Sequence, residues 1–147
     1  MSQRMALVLA LWAVCSVRAS GQDARREPES FFESKVRPVL AANCVECHGL
    51  TKTSGGLRLD TREGVFKGGD SGPAVTPGDV EGSLLSIAIK HDENEFVQMP
   101  PKKALPLQVV ADLNAWIAAG AKWPEAASAP IVSDKPHWAF APLRLVR

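Results

Sequence analysis

Between residues 31 and 40 the apolar side chains Phe31, Phe32, Val36, Val39 and Leu40 recur at helical intervals, with Glu33, Lys35 and Arg37 between them. Ser30 and Glu33 have the spacing of a capping box, which predicts a helix opening at Ser30. Pro38 has no N–H to give and is expected to kink this helix or end its first segment near Arg37. A second helix is predicted from Asp79 or Ser83, both competent caps, to about Lys90, with Leu84, Leu85, Ile87 and Ala88 turned inward. The clearest stripe is Val109, Val110, Leu113, Trp116 and Ile117. It predicts a helix with Pro106 at its first position and Gly120 just past its end. Ala111, Ala115, Ala118 and Ala119 leave room there for another helix. The polar face carries no Lys or Arg, so the stripe reads as core and not as a membrane-surface helix.

The intervening stretches lack a period. Gly49 to Gly78 is rich in Gly, Thr, Ser and Asp and is expected to be loop, with Leu57, Leu59 and Asp60 alternating briefly as an extended segment. The glycines at 55, 56, 68, 69 and 72 are followed by no G-K-[ST], so a phosphate cradle is disfavoured against a loop that wraps a cofactor. Met99 precedes Pro100 and Pro101, which bias it toward extended backbone and present its thioether on a rigid loop. Beyond Trp123 an Ala/Pro/Ser stretch leads into a tail without period. The expected organisation is a polar segment over 20–29, one all-α domain over 30–125, and a linker or tail over 126–147 that resembles the stub of a longer protein.

The first nineteen residues read as a secretory signal: Arg4, an apolar run from Met5 to Val17, then Val17-Arg18-Ala19 as a small-residue cleavage pattern. An uncleaved anchor is the minor alternative, since the run is short for a membrane span of about 20 residues. Removing Arg4 and Arg18 from 17 basic residues leaves 15 against 16 acidic, a net charge of −1. No basic stripe supports nucleic-acid binding. Of three cysteines Cys15 would leave with the leader, so the mature chain holds Cys44 and Cys47, too few for a disulfide framework.

Those two thiols sit in Cys44-Val45-Glu46-Cys47-His48, the spacing used to attach a c-type haem. On a turn of helix, residues i and i+3 share a face, so both sulfurs can reach the two vinyl groups on one edge of a porphyrin. His48 then falls beneath the ring as proximal ligand. The leader agrees, because haem attachment takes place outside the bacterial cytoplasm. A zinc site would want four ligands, and a thioredoxin-like dithiol would want strands around it; neither is evident. For the other axial position the residues leave alternatives open. Met99, 51 residues after His48, has the chain length to reach the far face but also reads as a gap-filling core residue. His91 is the rival ligand, or a solvated surface histidine, and His137 in the tail is weaker again.

Taken in order, Phe32-x-x-x-Val36-Arg37-Pro38-Val39-Leu40, the Cys44 to His48 motif, Gly56-Leu57-Arg58-Leu59-Asp60, Pro77-Gly78-Asp79, Met99-Pro100-Pro101 and Trp116-Ile117-x-x-Gly120-Ala121 resemble the planctomycete-type cytochrome c module over about residues 30–125. The resemblance implies a small class I cytochrome c fold, with three or more helices and long loops around one covalent haem c. It implies thioethers on Cys44 and Cys47 and iron between His48 and Met99. His137-Trp138-Ala139-Phe140-Ala141-Pro142-Leu143 looks like the junction to larger domains in longer members. Leu57, Leu59, Val75 and Trp116 are the candidate apolar wall that would exclude water and tune the potential. The function expected is one-electron transfer by an exported, periplasmic carrier to an unidentified redox protein, with no catalytic residues. A haem peroxidase or sensor with a labile distal ligand, and a redox docking module of a larger assembly, are the alternatives.

Overall fold

The computed structural model describes residues 27–94, 97–127 and 129–132. The expected leader and the His137 to Leu143 motif lie outside the described residues. A helical segment over 27–31 runs into a π-helical turn, Phe32–Val36, and then α1 (Arg37–Asn43). A 3₁₀ turn, Ser54–Gly56, is followed by α2 (Arg62–Lys67), α3 (Leu84–Ile89), α4 (Leu107–Ala118) and a last 3₁₀ turn, Glu125–Ala127. There is no sheet among the described residues, where pairing is confined to isolated bridges at His48–Thr53, Gly69–Gly72 and Thr76–Asp79. The helical class is as the pattern predicts, and it is compatible with a small cytochrome c fold.

The first helix departs from expectation at its capping box. It is already helical at residue 27, and Ser30 Oγ bonds back to the Glu27 carbonyl at 3.0 Å, so Ser30 is not its cap. Glu33 pairs with Arg37 at 2.6 and 3.0 Å and does not reach back to Ser30. At Pro38 the helical path changes register near Arg37, as expected, without stopping. The turn ahead of it widens, with Arg37 N–H donating to the Phe32 carbonyl five residues back, and Pro38 enters at the start of α1. This shift of hydrogen-bond register falls where proline has no donor to offer.

Phe32, Val36 and Leu40, four apart, are at most 1% exposed and form one side of the core. The π turn packs against α4. The Phe32 ring lies 5.9 Å from Trp116 and 4.5 Å from Trp123, with the Arg37 guanidinium 5.5 Å from its centroid. Trp116 and Trp123 hold their indole N–H groups on the Lys122 and Ala127 carbonyls, so neither large ring buries an unpaired donor.

The face predicted for α4 is the one observed, with Leu113, Trp116 and Ile117 buried and Val109 and Val110 partly so. Pro106 is its N-cap and not its first helical residue. Gly120 closes it as expected, at φ 91°, with Gly120 N–H on the Ile117 carbonyl and Ala121 N–H on that of Trp116, both 2.9 Å. Ala111, Ala115, Ala118 and Ala119 are exposed and not buried in a helix seam, although Ala115 and Ala119 line a groove with Phe31 and Lys35 of the first helix.

In α3 the buried set is Leu85, Ser86 and Ile89, while Leu84, Ile87 and Ala88 are half-buried. Five of its six residues are apolar, so the pattern alone does not fix the inward face. Ser83 starts the helix, but its hydroxyl accepts from Thr76 N–H at 2.9 Å and donates to the Asp79 carbonyl at 2.6 Å, tying down the preceding loop. Helix α2 was not expected. Thr61 Oγ1 accepts from Gly64 N–H at 3.1 Å to open it, and Gly68 closes it at φ 77°, where a side chain would also run into the Gly72 carbonyl. Past the expected boundary at 125 the core continues: Ala127 and Ile131 are buried, and Ile131 N–H donates to the Asp60 carbonyl at 2.7 Å.

Candidate haem-attachment site

The Cys44 to His48 motif is the last turn of the path that begins in α1. Cys44 and Val45 both donate N–H to the Leu40 carbonyl at 3.0 Å, and Cys47 and His48 donate to that of Cys44 at 3.1 and 2.9 Å. These are helical spacings, and they put the positions of Cys44 and Cys47 on one side of a turn. Val45 between them is buried and fastens the turn to the core.

The following loop folds back as a brace. Ser54 N–H donates to the Cys47 carbonyl at 3.0 Å, Leu59 N–H to that of His48 at 2.8 Å, and Gly49 N–H to that of Lys52 at 2.8 Å. Gly49 has no room for a side chain, since a Cβ there would collide with the Val45 carbonyl.

Cys44 and Cys47 are half-buried free thiols, not joined as a disulfide. Burial, with a smaller contribution from Cys47, pushes the Cys44 thiol up to about 12, so it is protonated at neutral pH. Lys52 Nζ stands 3.9 Å from Cys47 Sγ. His48 is half-buried, and its Nδ1 is buried with no hydrogen-bond partner among the described residues. A buried polar atom left unpaired costs about 1–3 kcal/mol, so an imidazole held this way suits a residue whose partner is not a protein group. Two free thiols on one turn, followed by that imidazole, fit a covalently attached haem. Among the described residues no group of three or more His, Cys, Asp or Glu is placed to hold a metal ion, so a zinc reading finds no further ligands there.

Of the expected wall, Leu59 and Val75 are buried and Leu57 is half-buried against the same core. The alternation read over Leu57, Leu59 and Asp60 hides the main feature of this stretch. Asp60 is 1% exposed, and its carboxylate takes Arg58 in a two-pronged pair at 2.9 and 2.7 Å, a bond that raises the Arg58 pKa. Since Asp60 also anchors Ile131, it ties the Leu57 to Leu59 segment to the end of the described chain. Trp116 packs on Phe32 at the crossing of the first and last helices.

Met99 is half-buried, and its N–H donates to the Ala88 carbonyl at 2.9 Å, which joins its loop to α3. His91 is neither solvated nor free: it is half-buried, with Nε2 3.0 Å from the Pro100 carbonyl. Because the acceptor is a carbonyl, that nitrogen carries the proton. Nothing in the sequence pairs residues 91 and 100; the one local hint is that His91 adopts φ 53° just past the end of α3, where glycine or asparagine is usual.

With this geometry in place, comparison with known proteins is informative at one level. Residues 44–103 match the family model described as Planctomycete cytochrome C, which bears out the resemblance carried by the motifs. The matched segment spans the Cys44 to His48 turn, α2, α3 and the Met99 loop. No curated protein and no solved structure matches the chain.

Proposed function

We propose, on the premise that residues 44–103 are a cytochrome c module of the planctomycete type, that the protein is an exported monohaem carrier that passes single electrons. The observation that carries the reading is the Cys44 to His48 turn itself: two free thiols and an imidazole on one braced turn, inside the segment that matches the family. Cys44 and Cys47 would each hold the group through one thioether, formed when S–H adds across a vinyl group with no net oxidation. His48 would give the proximal nitrogen and Met99 the distal sulfur.

Bound haem supplies a one-electron Fe(III)/Fe(II) couple; the chain's own part is to fix both axial groups and exclude water. A neutral, polarisable thioether favours the reduced ion and raises the potential relative to a second histidine. Leu57, Leu59 and Val75 would form the dry wall, an arrangement supported by their burial. With His48 and Met99 both holding the iron, no side chain of this chain would need to move a proton. No described helix is long and apolar enough to cross a membrane. Release after Ala19 into the periplasm follows from the leader pattern, and an unidentified redox protein is the partner.

Oxidised and reduced absorption spectra of protein made with a periplasmic haem-attachment system test the reading. Sharp low-spin bands with the weak long-wavelength sulfur-to-iron band are expected. Retained haem without that band, or rapid binding of peroxide or carbon monoxide, would replace the carrier with the peroxidase or sensor alternative.

A further inference from the structure

The structure assigns His91 a positioning role: it latches the Met99-Pro100 segment to the C-terminal end of α3 and so governs how readily the Met99 sulfur leaves iron. The inference rests on Met99 being the distal ligand. Three consecutive residues are each tied to the same short stretch of chain. Gln98 Nε2 donates to the Asp92 carbonyl at 3.1 Å, Met99 N–H to that of Ala88 at 2.9 Å, and the Pro100 carbonyl receives His91 Nε2 at 3.0 Å. The bonds of Met99 and Pro100 flank the thioether from either side.

Residue choice points the same way. The position after Lys90 caps α3 in the left-handed region, at φ 53°, which a glycine would occupy without strain. A glycine there would offer no side chain to reach Pro100. His91 accepts the strained backbone, and its half-buried ring spans nine residues to the carbonyl beside Met99. Its bond removes a donor and an acceptor from water together, so deleting the donor leaves the Pro100 carbonyl to find another partner.

The latch predicts a kinetic gate. When the Met99 sulfur dissociates, the tethers return it; without His91 the loop moves further and an external ligand has longer to enter. His91→Asn is the discriminating variant, because asparagine tolerates the left-handed backbone yet is too short for the Pro100 carbonyl.

Two readouts on the haem-loaded protein decide the matter. Hydrogen exchange, followed by mass spectrometry on a peptide covering residues 97–103, should quicken in His91→Asn while a peptide from α4 stays unchanged. Imidazole binding to the ferric protein, followed by loss of the sulfur-to-iron band, should become about fivefold to tenfold faster, the change set by one ordinary hydrogen bond. Wild-type exchange and wild-type imidazole rates in the variant would overturn the latch, as would equal quickening in α4, which would mark general loosening. A wild-type protein with haem but no sulfur-to-iron band would overturn Met99 ligation and the gating role with it. The exchange measurement would then still show whether His91 fastens the loop.

Discussion

The two sides of the proposed haem pocket are built in opposite ways. On the His48 side, Cys44 to His48 and the brace up to Leu59 are joined by a run of backbone bonds. On the Met99 side, a loop without regular structure is held to the end of α3 by one backbone bond and the side chains of Gln98 and His91. The first is set by main-chain bonds; the second depends in part on two side chains that can be replaced. A covalent anchor belongs on the first, where geometry must be set before attachment. An exchangeable ligand belongs on the second, where modest side-chain bonds of about 1 kcal/mol each set its residence.

Breaking the anchor should have the largest effect. Replacing both Cys44 and Cys47 with alanine should abolish acid-resistant haem, measured by extraction of the purified protein. Met99→Ala should do the complementary thing: haem stays attached, the sulfur-to-iron band disappears, the reduction potential falls, and imidazole binds readily. If Met99→Ala instead leaves spectrum and potential unchanged, the second side has been misassigned.

The support shared by both sides is the crossing of the first and last helices. Phe32→Ala removes a fully buried ring that touches Trp116 and Trp123, and should cost about 3–5 kcal/mol in denaturant unfolding. It should weaken both sides without selecting either. The last expected effect, confined to alkaline pH, concerns Cys44 alone. Before haem attachment an unfolded thiol releases its proton near 9, whereas the folded Cys44 holds it to about 12. Within that window the unfolded state is favoured by proton release, so stability is whole below pH 9 and falls as pH rises toward 12. The haem-loaded protein has a thioether at Cys44 and should lack this fall; alkaline unfolding of the two forms side by side measures it.

The same contrast explains what could be read from sequence. The anchor was legible because its chemistry sits in five adjacent residues. Helix α4 was legible because a five-residue apolar stripe is bracketed by Pro106 and Gly120. Helix α2 spans only Arg62–Lys67, too short for a period to show, although Thr61 and Gly68 do mark its two ends. The inward face of α3 was read only in part, with Leu85 right and Ile89 missed, because nearly every residue in it is apolar and packing makes the choice.

The capping box at Ser30 and Glu33 failed because the helix is already formed at residue 27, which puts Ser30 inside it, and Glu33 pairs with Arg37. Contacts made outside any periodic element left no signal at all. The pairing of Ile131 with Asp60, which carries the core past 125, is one. The bond from His91 to Pro100 is another, and it converts a residue read as surface or rival ligand into part of the Met99 support.

The most direct test of the account is the intact mass of protein made with a periplasmic haem-attachment system, taken after acid–solvent extraction, beside the form lacking both Cys44 and Cys47 thiols. One haem is expected on the wild-type polypeptide and none on the variant. A wild-type chain that emerges from extraction without haem, or a variant that keeps it, would contradict attachment at the Cys44 to His48 turn.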